Sequence, residues 1–132
     1  MKAITASLSG QPVAVDDAAD VIARYVSDGL VKSRDFVVAG YELSVEAARR
    51  EDLAVLNRIW CGALQERLEL VLTDLGSDNP SEPAQLVLAV MAGLEVNHMP
   101  DAGASFHEDV AQPLVRELLR SRVPKPRVAQ SP

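Results

Sequence analysis

The feature that most constrains this chain is a run of nine apolar residues, Leu86–Leu94, within a predicted helix. A helix that is apolar on every side has to be buried on every side. The run is far shorter than the roughly 18 residues that cross a bilayer, so it does not predict a membrane span. It indicates either a helix at the centre of its own monomer or a helix whose outer face is covered by a second subunit.

The rest of the sequence also predicts helices. Apolar residues recur at three- and four-residue steps in four further stretches, of which Leu53–Leu75 is the best defined, and Gly76 is expected to end it. No segment alternates apolar and polar residues in the manner of a strand. The predicted fold is all-α, a bundle of about five helices. Residues 1–14 are expected to form an N-terminal stub, residues 15–122 the helical domain and residues 123–132 a disordered tail.

The periodicity also predicts which side chains face the core. In the second helix, with Ser33 as its cap, Phe36 and Leu43 are predicted to point inward. In the fifth helix, Ser105 and Glu108 match a capping box, and a proline at position 113 either kinks the helix or marks its true first turn. The inward stripe of the third helix is predicted to include Leu56, Ile59, Trp60, Leu64, Leu68, Val71 and Leu72.

The fourth and fifth helices together predict a homodimer. Ala89 and Gly93 lie four residues apart on one stripe, where small side chains allow another helix to approach closely. Two copies of this helical hairpin would form an intermolecular four-helix bundle across a twofold axis. The alternative is a fourth helix that is buried within its own monomer. The predicted interface residues are Leu86, Ala89, Val90, Gly93, Leu94, Leu114 and Leu118.

Charge and cysteine content limit the partners and the compartment. The chain has 19 acidic and 13 basic residues, a formal net charge of −6, so its surface is expected to repel a phosphate backbone. We therefore expect no direct DNA binding by this chain. A single cysteine, Cys61, fits a reducing compartment, and the N-terminus does not resemble a signal peptide. The expected location is the cytoplasm, without membrane attachment.

The sequence offers little for catalysis or metal binding. His98 and His107 are the only histidines, and a loop with Pro and Gly separates them, so they do not pair on one helix as metal ligands do. Cys61 has no adjacent base and is predicted to be a buried core cysteine. No glycine-rich phosphate loop or nucleophile elbow is present. We expect no enzyme activity, no metal and no cofactor.

Two short motifs carry a resemblance to a known family. The run Val38–Arg50 (VAGYELSVEAARR) and the run Leu75–Pro80 (LGSDNP), which leads into the apolar helix, resemble the C-terminal domain of the tetracycline-repressor family in order and spacing. The similarity covers roughly residues 15–122. Glu51 stands where relatives often have proline. The helix-turn-helix domain that precedes this domain in the family is not recognised in the sequence.

The resemblance implies a sensing role. In this family the C-terminal helical domain binds an effector and forms the dimer. Residues 83–99 and 107–121 would then form the dimer interface, and an effector cavity would lie among the first three helices and the inner face of the fourth. Candidates for the cavity lining, which also fit an ordinary core, are Tyr25, Phe36, Tyr41, Trp60, Leu64, Met91 and His98.

The expected function is therefore an effector-binding and dimerisation domain of a tetracycline-repressor-like transcriptional regulator, with an unidentified small-molecule effector. Two alternatives remain open on the sequence alone. The chain could be an interaction protein that heterodimerises with a full-length regulator and titrates it. It could also be a ligand-binding bundle unrelated to transcription.

Overall fold

A computed structural model describes residues 14–125 of the protein. The predicted all-α fold is confirmed, because these residues form five α-helices and no strand. The predicted stub at 1–14 and tail at 123–132 lie outside the described residues, apart from Ala14 and positions 123–125. The helices are α1 (Val15–Lys32), α2 (Arg34–Ala47), α3 (Glu51–Asp74), α4 (Ser81–His98) and α5 (Gln112–Arg122), and a π-helical turn (His107–Ala111) leads directly into α5.

Helix α1 lies at the centre of the domain. It packs against α2, α4, α5 and the π-helical turn. Three alanines on its buried face, Ala18, Ala19 and Ala23, are inaccessible to solvent, and small side chains of this kind allow two helices to approach closely. Ile22 and Val26 of α1 are also buried, and burying an aliphatic side chain of this size stabilises a fold by about 1.5–3 kcal/mol.

Helix α4 is not enclosed within its own monomer. Val87, Met91 and Leu94 face the core, whereas Leu86 and Val90 remain partly exposed. The monomer therefore covers only part of the apolar run, and the alternative of a helix buried centrally in its own monomer is wrong. Leu94 was predicted to contact a second subunit, but it belongs to the monomer core.

The prediction of one continuous inward face on α3 is wrong for its N-terminal half. Leu68, Val71 and Leu72 are buried as predicted, but Leu56, Ile59 and Trp60 are exposed. The physical reason is length, because a helix of 24 residues spans about 36 Å and extends past the core that α1 and α4 provide.

The inward prediction for α2 fails in the same region. Phe36 and Leu43 are exposed, and Ala47 is the one buried residue that α2 contributes. Helix α2 packs on α3, with the Ser44 hydroxyl bonded to Asn57 in the half of α3 that extends past the core, and neither helix encloses the other's side chains fully.

The turns follow the sequence at some positions and depart from it at others. Gly76 ends α3 with a positive φ of 95°, as predicted, and the N–H of Ser77 donates to the Leu72 carbonyl. The predicted capping box at Ser105 is wrong, since no side-chain cap forms and the chain enters α5 through the π-helical turn instead. Pro113 lies in the first turn of α5.

Two leucines on α3, two residues apart, test this packing. Leu68 is 1% exposed and Leu70 is 59% exposed. We expect Leu68→Ala to lower the free energy of unfolding by about 2–5 kcal/mol through the cavity that it leaves. Leu70→Ala should change it by less than about 0.5 kcal/mol. Urea titration followed by circular dichroism measures both, and equal losses would contradict the described face of α3.

Candidate ligand-binding site

A cavity of about 760 Å³ opens between the first four helices. It lies where α2 and the N-terminal half of α3 extend past the core. Helices α1 and α4 form its inner wall. The side chains and backbone around it come from Tyr25, Asp28, Gly29, Lys32, Ser33, Phe36, Val37, Gly40, Tyr41, Ser44, Asn57, Trp60, Cys61, Leu64, Leu88, Ala89, Met91, Ala92 and Glu95.

Small residues on facing helices create the space. Gly40 of α2, and Ala89 and Ala92 of α4, line the cavity with little or no side chain. A Cβ atom added at Gly40 would meet nothing within 4 Å. At Gly29 the helices are closer, since a Cβ there would lie 3.2 Å from Cγ2 of Val37. Helices α1 and α2 are therefore in close contact at Gly29, whereas the space beside Gly40 is open.

The structure brings together six of the seven residues proposed from the sequence to line a cavity. They are Tyr25, Phe36, Tyr41, Trp60, Leu64 and Met91. His98 is not among the lining residues. Its Nδ1 lies 3.0 Å from the Leu94 carbonyl, and its ring packs on Phe106 with 4.7 Å between the ring centroids. His98 therefore belongs to the end of α4 and the following loop.

Aromatic rings surround the opening and one reaches further in. Phe36 is 70% exposed and Trp60 63% exposed, so both rings lie at the rim. Tyr41 is partly buried, and its hydroxyl is 3.5 Å from the Ala92 carbonyl. Burial, with a smaller contribution from the charge of Glu95, raises the pKa of Tyr41 to about 12. Tyr41 is therefore a neutral phenol at physiological pH, and its hydroxyl can donate and accept hydrogen bonds.

Cys61 was predicted to be a buried core cysteine, and this prediction is wrong. Its thiol is free and exposed, and the residue lines the cavity. The spacing of Cys61 along α3 could have indicated that it lines the cavity. Asn57, Cys61 and Leu64 are separated by four and three residues, so they share one face of α3, and that face looks into the cavity rather than the core.

Of the three charged side chains that line the cavity, two form an ion pair and one has no partner among the described residues. Lys32 Nζ lies 3.3 Å from Asp28 Oδ1, and the Ser44 hydroxyl lies 3.2 Å from Asn57 Oδ1. Glu95 has no ion-pair or hydrogen-bond partner for its side chain among residues 14–125. Burial raises the pKa of Glu95 above its usual value. Sequence reasoning missed this residue, because a single glutamate in an apolar helix gives no motif.

A second polar cluster lies outside the cavity. His107 Nε2 is 2.9 Å from Asp20 Oδ1, and its Nδ1 is 3.4 Å from the Ser27 hydroxyl. That hydroxyl is buried and donates to the Ala23 carbonyl at 2.8 Å, so its proton is directed to its own helix rather than to the imidazole. The cluster therefore links α1 to the π-helical turn and is not arranged as a nucleophile with its base.

The described residues also bear on metal binding and membrane insertion. Residues 14–125 contain no group of three or more His, Cys, Asp or Glu side chains that could hold a metal ion. None of the helices in this range is long and apolar enough to cross a membrane.

Comparison with known families decides the identity of the domain. The sequence profile of the tetracyclin repressor-like C-terminal domain matches residues 13–124. The chain belongs to this family. The resemblance drawn from the two short motifs is thereby confirmed. Domains of this family serve regulators and typically combine ligand binding with dimerisation. Comparison with curated proteins and with solved structures gives no significant match.

The two family motifs of this tetracycline repressor-like domain have distinct positions. Val38–Arg50 covers the C-terminal part of α2, including the cavity residues Gly40, Tyr41 and Ser44, and the corner to α3. Leu75–Pro80 forms the turn between α3 and α4. The first motif therefore shapes the cavity wall, and the second sets the direction in which α4 returns across the core.

Replacing Glu95 with its neutral amide tests the electrostatics of the cavity. Because burial raises its folded-state pKa, the ionised carboxylate makes the fold less stable as pH rises through that pKa. We expect Glu95→Gln to unfold at a higher temperature than the wild type at pH 7. The difference should disappear as pH falls below about 4.5, the usual pKa of glutamate, where both side chains are neutral.

The matched control is Glu46→Gln on α2, which removes the same charge from an exposed position outside the cavity. Differential scanning calorimetry between pH 4 and pH 8 compares the three proteins. A Glu95→Gln protein that is less stable than Glu46→Gln at pH 7 would contradict the assignment of Glu95 as an unpaired, partly buried charge.

Proposed function

We propose that this domain is the sensing part of a transcriptional regulator, which binds a small hydrophobic effector between α1, α2, α3 and α4 and dimerises through α4 and α5. The observation that carries the proposal is the cavity itself. Its volume of about 760 Å³ falls in the range of small-molecule sites, roughly 300–1,000 Å³. Its wall is mostly apolar with a few polar groups, which is the usual composition of such sites.

The outer surface of α4 and α5 supports the proposed dimer. Leu86, Val90 and Gly93 follow one stripe of α4 that the monomer leaves partly exposed. Leu114 is 49% exposed on the adjacent α5, and Leu118 is half-buried beside it. Helices α4 and α5 pack on each other, so we expect a second copy that covers one stripe to reach the other as well.

Two predicted interface residues do not belong to this surface. Leu94 is in the monomer core, and Ala89 lies on the cavity side of α4. The proposed interface therefore consists of Leu86, Val90, Gly93, Leu114 and Leu118.

One side chain couples the cavity wall to the dimer helices. Arg34 is the first residue of α2. Its Nε donates to the Met99 carbonyl at 2.7 Å, and its Nη2 donates to the Pro100 carbonyl. Because α2 forms the outer wall of the cavity, a ligand that displaces α2 would also displace the loop that follows α4. This link supports regulation through a shift between two helical arrangements.

The charges of the described helices support sensing rather than DNA binding by these residues. Arg120 pairs with Asp16 at 2.8 Å, and Arg122 pairs with Glu82 at 2.7 Å. Arg120 and Arg122 of α5 therefore form ion pairs within the domain. The formal net charge of −6 also disfavours contact with a phosphate backbone.

A cavity-filling substitution tests the ligand site. We expect the neutral dye N-phenyl-1-naphthylamine to bind the wild type with increased fluorescence. Gly40→Leu should weaken this binding by at least about tenfold, because the new side chain occupies open cavity space. The control is Gly62→Leu on α3, which also meets nothing within 4 Å and lies outside the cavity, so it should bind like the wild type.

Both substitutions replace a helical glycine and are expected to preserve or increase stability by up to about 1 kcal/mol, so lost binding would not reflect unfolding. Absence of dye binding to the wild type, or equal binding by Gly40→Leu, would contradict the proposed ligand site.

A charge placed on the outer stripe tests the dimer. The wild type is expected to sediment at twice the 14.2 kDa mass of one chain. Leu114→Glu should weaken dimerisation by at least about a hundredfold, since it buries an unpaired charge at the interface. Val31→Glu, on an exposed residue of α1 away from this surface, should leave the dimer intact. A monomeric wild type in sedimentation equilibrium at micromolar concentration would refute the proposed dimer.

A further inference from the structure

Glu95 is the one carboxylate of the cavity that has no countercharge within the described helices. The other, Asp28, forms an ion pair with Lys32, which is the single basic residue in the lining. The formal charges around the cavity therefore sum to −1, and that charge lies on Glu95. A net negative charge in a mostly apolar site selects among ligands by their sign.

The carboxylate of Glu95 is accessible from the cavity. Glu95 lies on the same face of α4 as Leu88 and Ala92, which also line the cavity. In residues 14–125 no fully buried side-chain nitrogen or oxygen lacks a hydrogen-bond partner. Since the Glu95 side chain has no partner, its oxygens are not sealed in protein and open onto cavity space. A ligand atom can therefore reach them.

A bound cation would compensate the charge of Glu95. It costs free energy to remove water from a carboxylate that gains no partner. A ligand that fills the cavity would remove more water from the Glu95 carboxylate. A cationic ligand reverses this effect, because opposite charges attract more strongly in a site of low dielectric constant. An anionic ligand would be repelled by Glu95, and the one lysine of the lining is already paired.

Aromatic rings supply the second half of a cation site. Tyr25, Phe36, Tyr41 and Trp60 all line the cavity, and the face of an aromatic ring attracts a cation. Tyr41 lies near Glu95, since its hydroxyl is 3.5 Å from the carbonyl of Ala92, one turn earlier on α4. A ligand with a positive centre can therefore contact the carboxylate and aromatic faces together, with its apolar groups on Leu64, Leu88 and Met91.

We propose that the ligand of this cavity is a hydrophobic monocation, held with its positive centre at Glu95 and among the aromatic rings. This inference rests on the proposed function, in which the cavity is the effector site. It adds the chemical class of the effector and the residue that selects it.

Two ions of the same shape and opposite charge test the inference. Tetraphenylphosphonium and tetraphenylborate are each titrated into the domain that has bound N-phenyl-1-naphthylamine, and displacement of the dye is measured. We expect the phosphonium to compete at least about tenfold more strongly than the borate for the wild type. In Glu95→Gln the phosphonium should bind about tenfold more weakly, while the neutral dye should bind at least as tightly as to the wild type, because its binding no longer dehydrates a carboxylate.

The exposed Glu46→Gln variant controls for the change in net charge and should retain the preference for the phosphonium. Phosphonium binding to the wild type should also weaken as acid protonates Glu95, whereas dye binding should not. Equal competition by the two ions, or an undiminished phosphonium affinity in Glu95→Gln, would overturn the cation proposal and leave the proposed ligand site standing. Failure of the neutral dye to bind the wild type would overturn both.

Discussion

The structure depends on the close packing of α1 in the centre of the domain. Ala18, Ala19 and Ala23 are fully buried and allow α5 to lie near the α1 axis, with Val115 and Leu119 filling the remaining space. Helix α4 and the C-terminal half of α3 complete this core. The core ends before α3 does. The space that remains between α2, α3 and the inner helices is the cavity, so the position of the site follows from the limited extent of the core.

Helix α4 is apolar on all sides, and three of its faces have different surroundings. Val87, Met91 and Leu94 pack in the monomer core. Leu88 and Ala92 face the cavity. Leu86, Val90 and Gly93 remain on the outer surface, where we propose a second subunit. One helix therefore borders the core, the proposed ligand site and the proposed interface. A ligand that contacts α4 contacts the helix through which two subunits would respond to each other.

The sequence predicted the helices well because periodicity and turn residues are local signals. Gly76 and Pro113 lie where their chemistry placed them. The sequence could not predict that Ile59, Trp60 and Cys61 are exposed. An apolar stripe has the same sequence pattern whether it borders a core, a cavity or solvent. Six of the seven proposed lining residues surround the cavity, and these were chosen by residue type and family resemblance. Glu95 was missed, since its significance depends on the absence of a countercharge, which only the packed structure reveals.

Amide hydrogen exchange with and without saturating tetraphenylphosphonium tests the central claim, that a hydrophobic ligand binds between the first four helices. Binding should slow exchange in the segments that line the cavity, at residues 25–41, 57–64 and 88–95, because ligand contact suppresses local opening. Exchange in the turn at 76–80 should be unchanged. Protection confined to other segments, or no protection at ligand concentrations that displace the dye, would contradict the account.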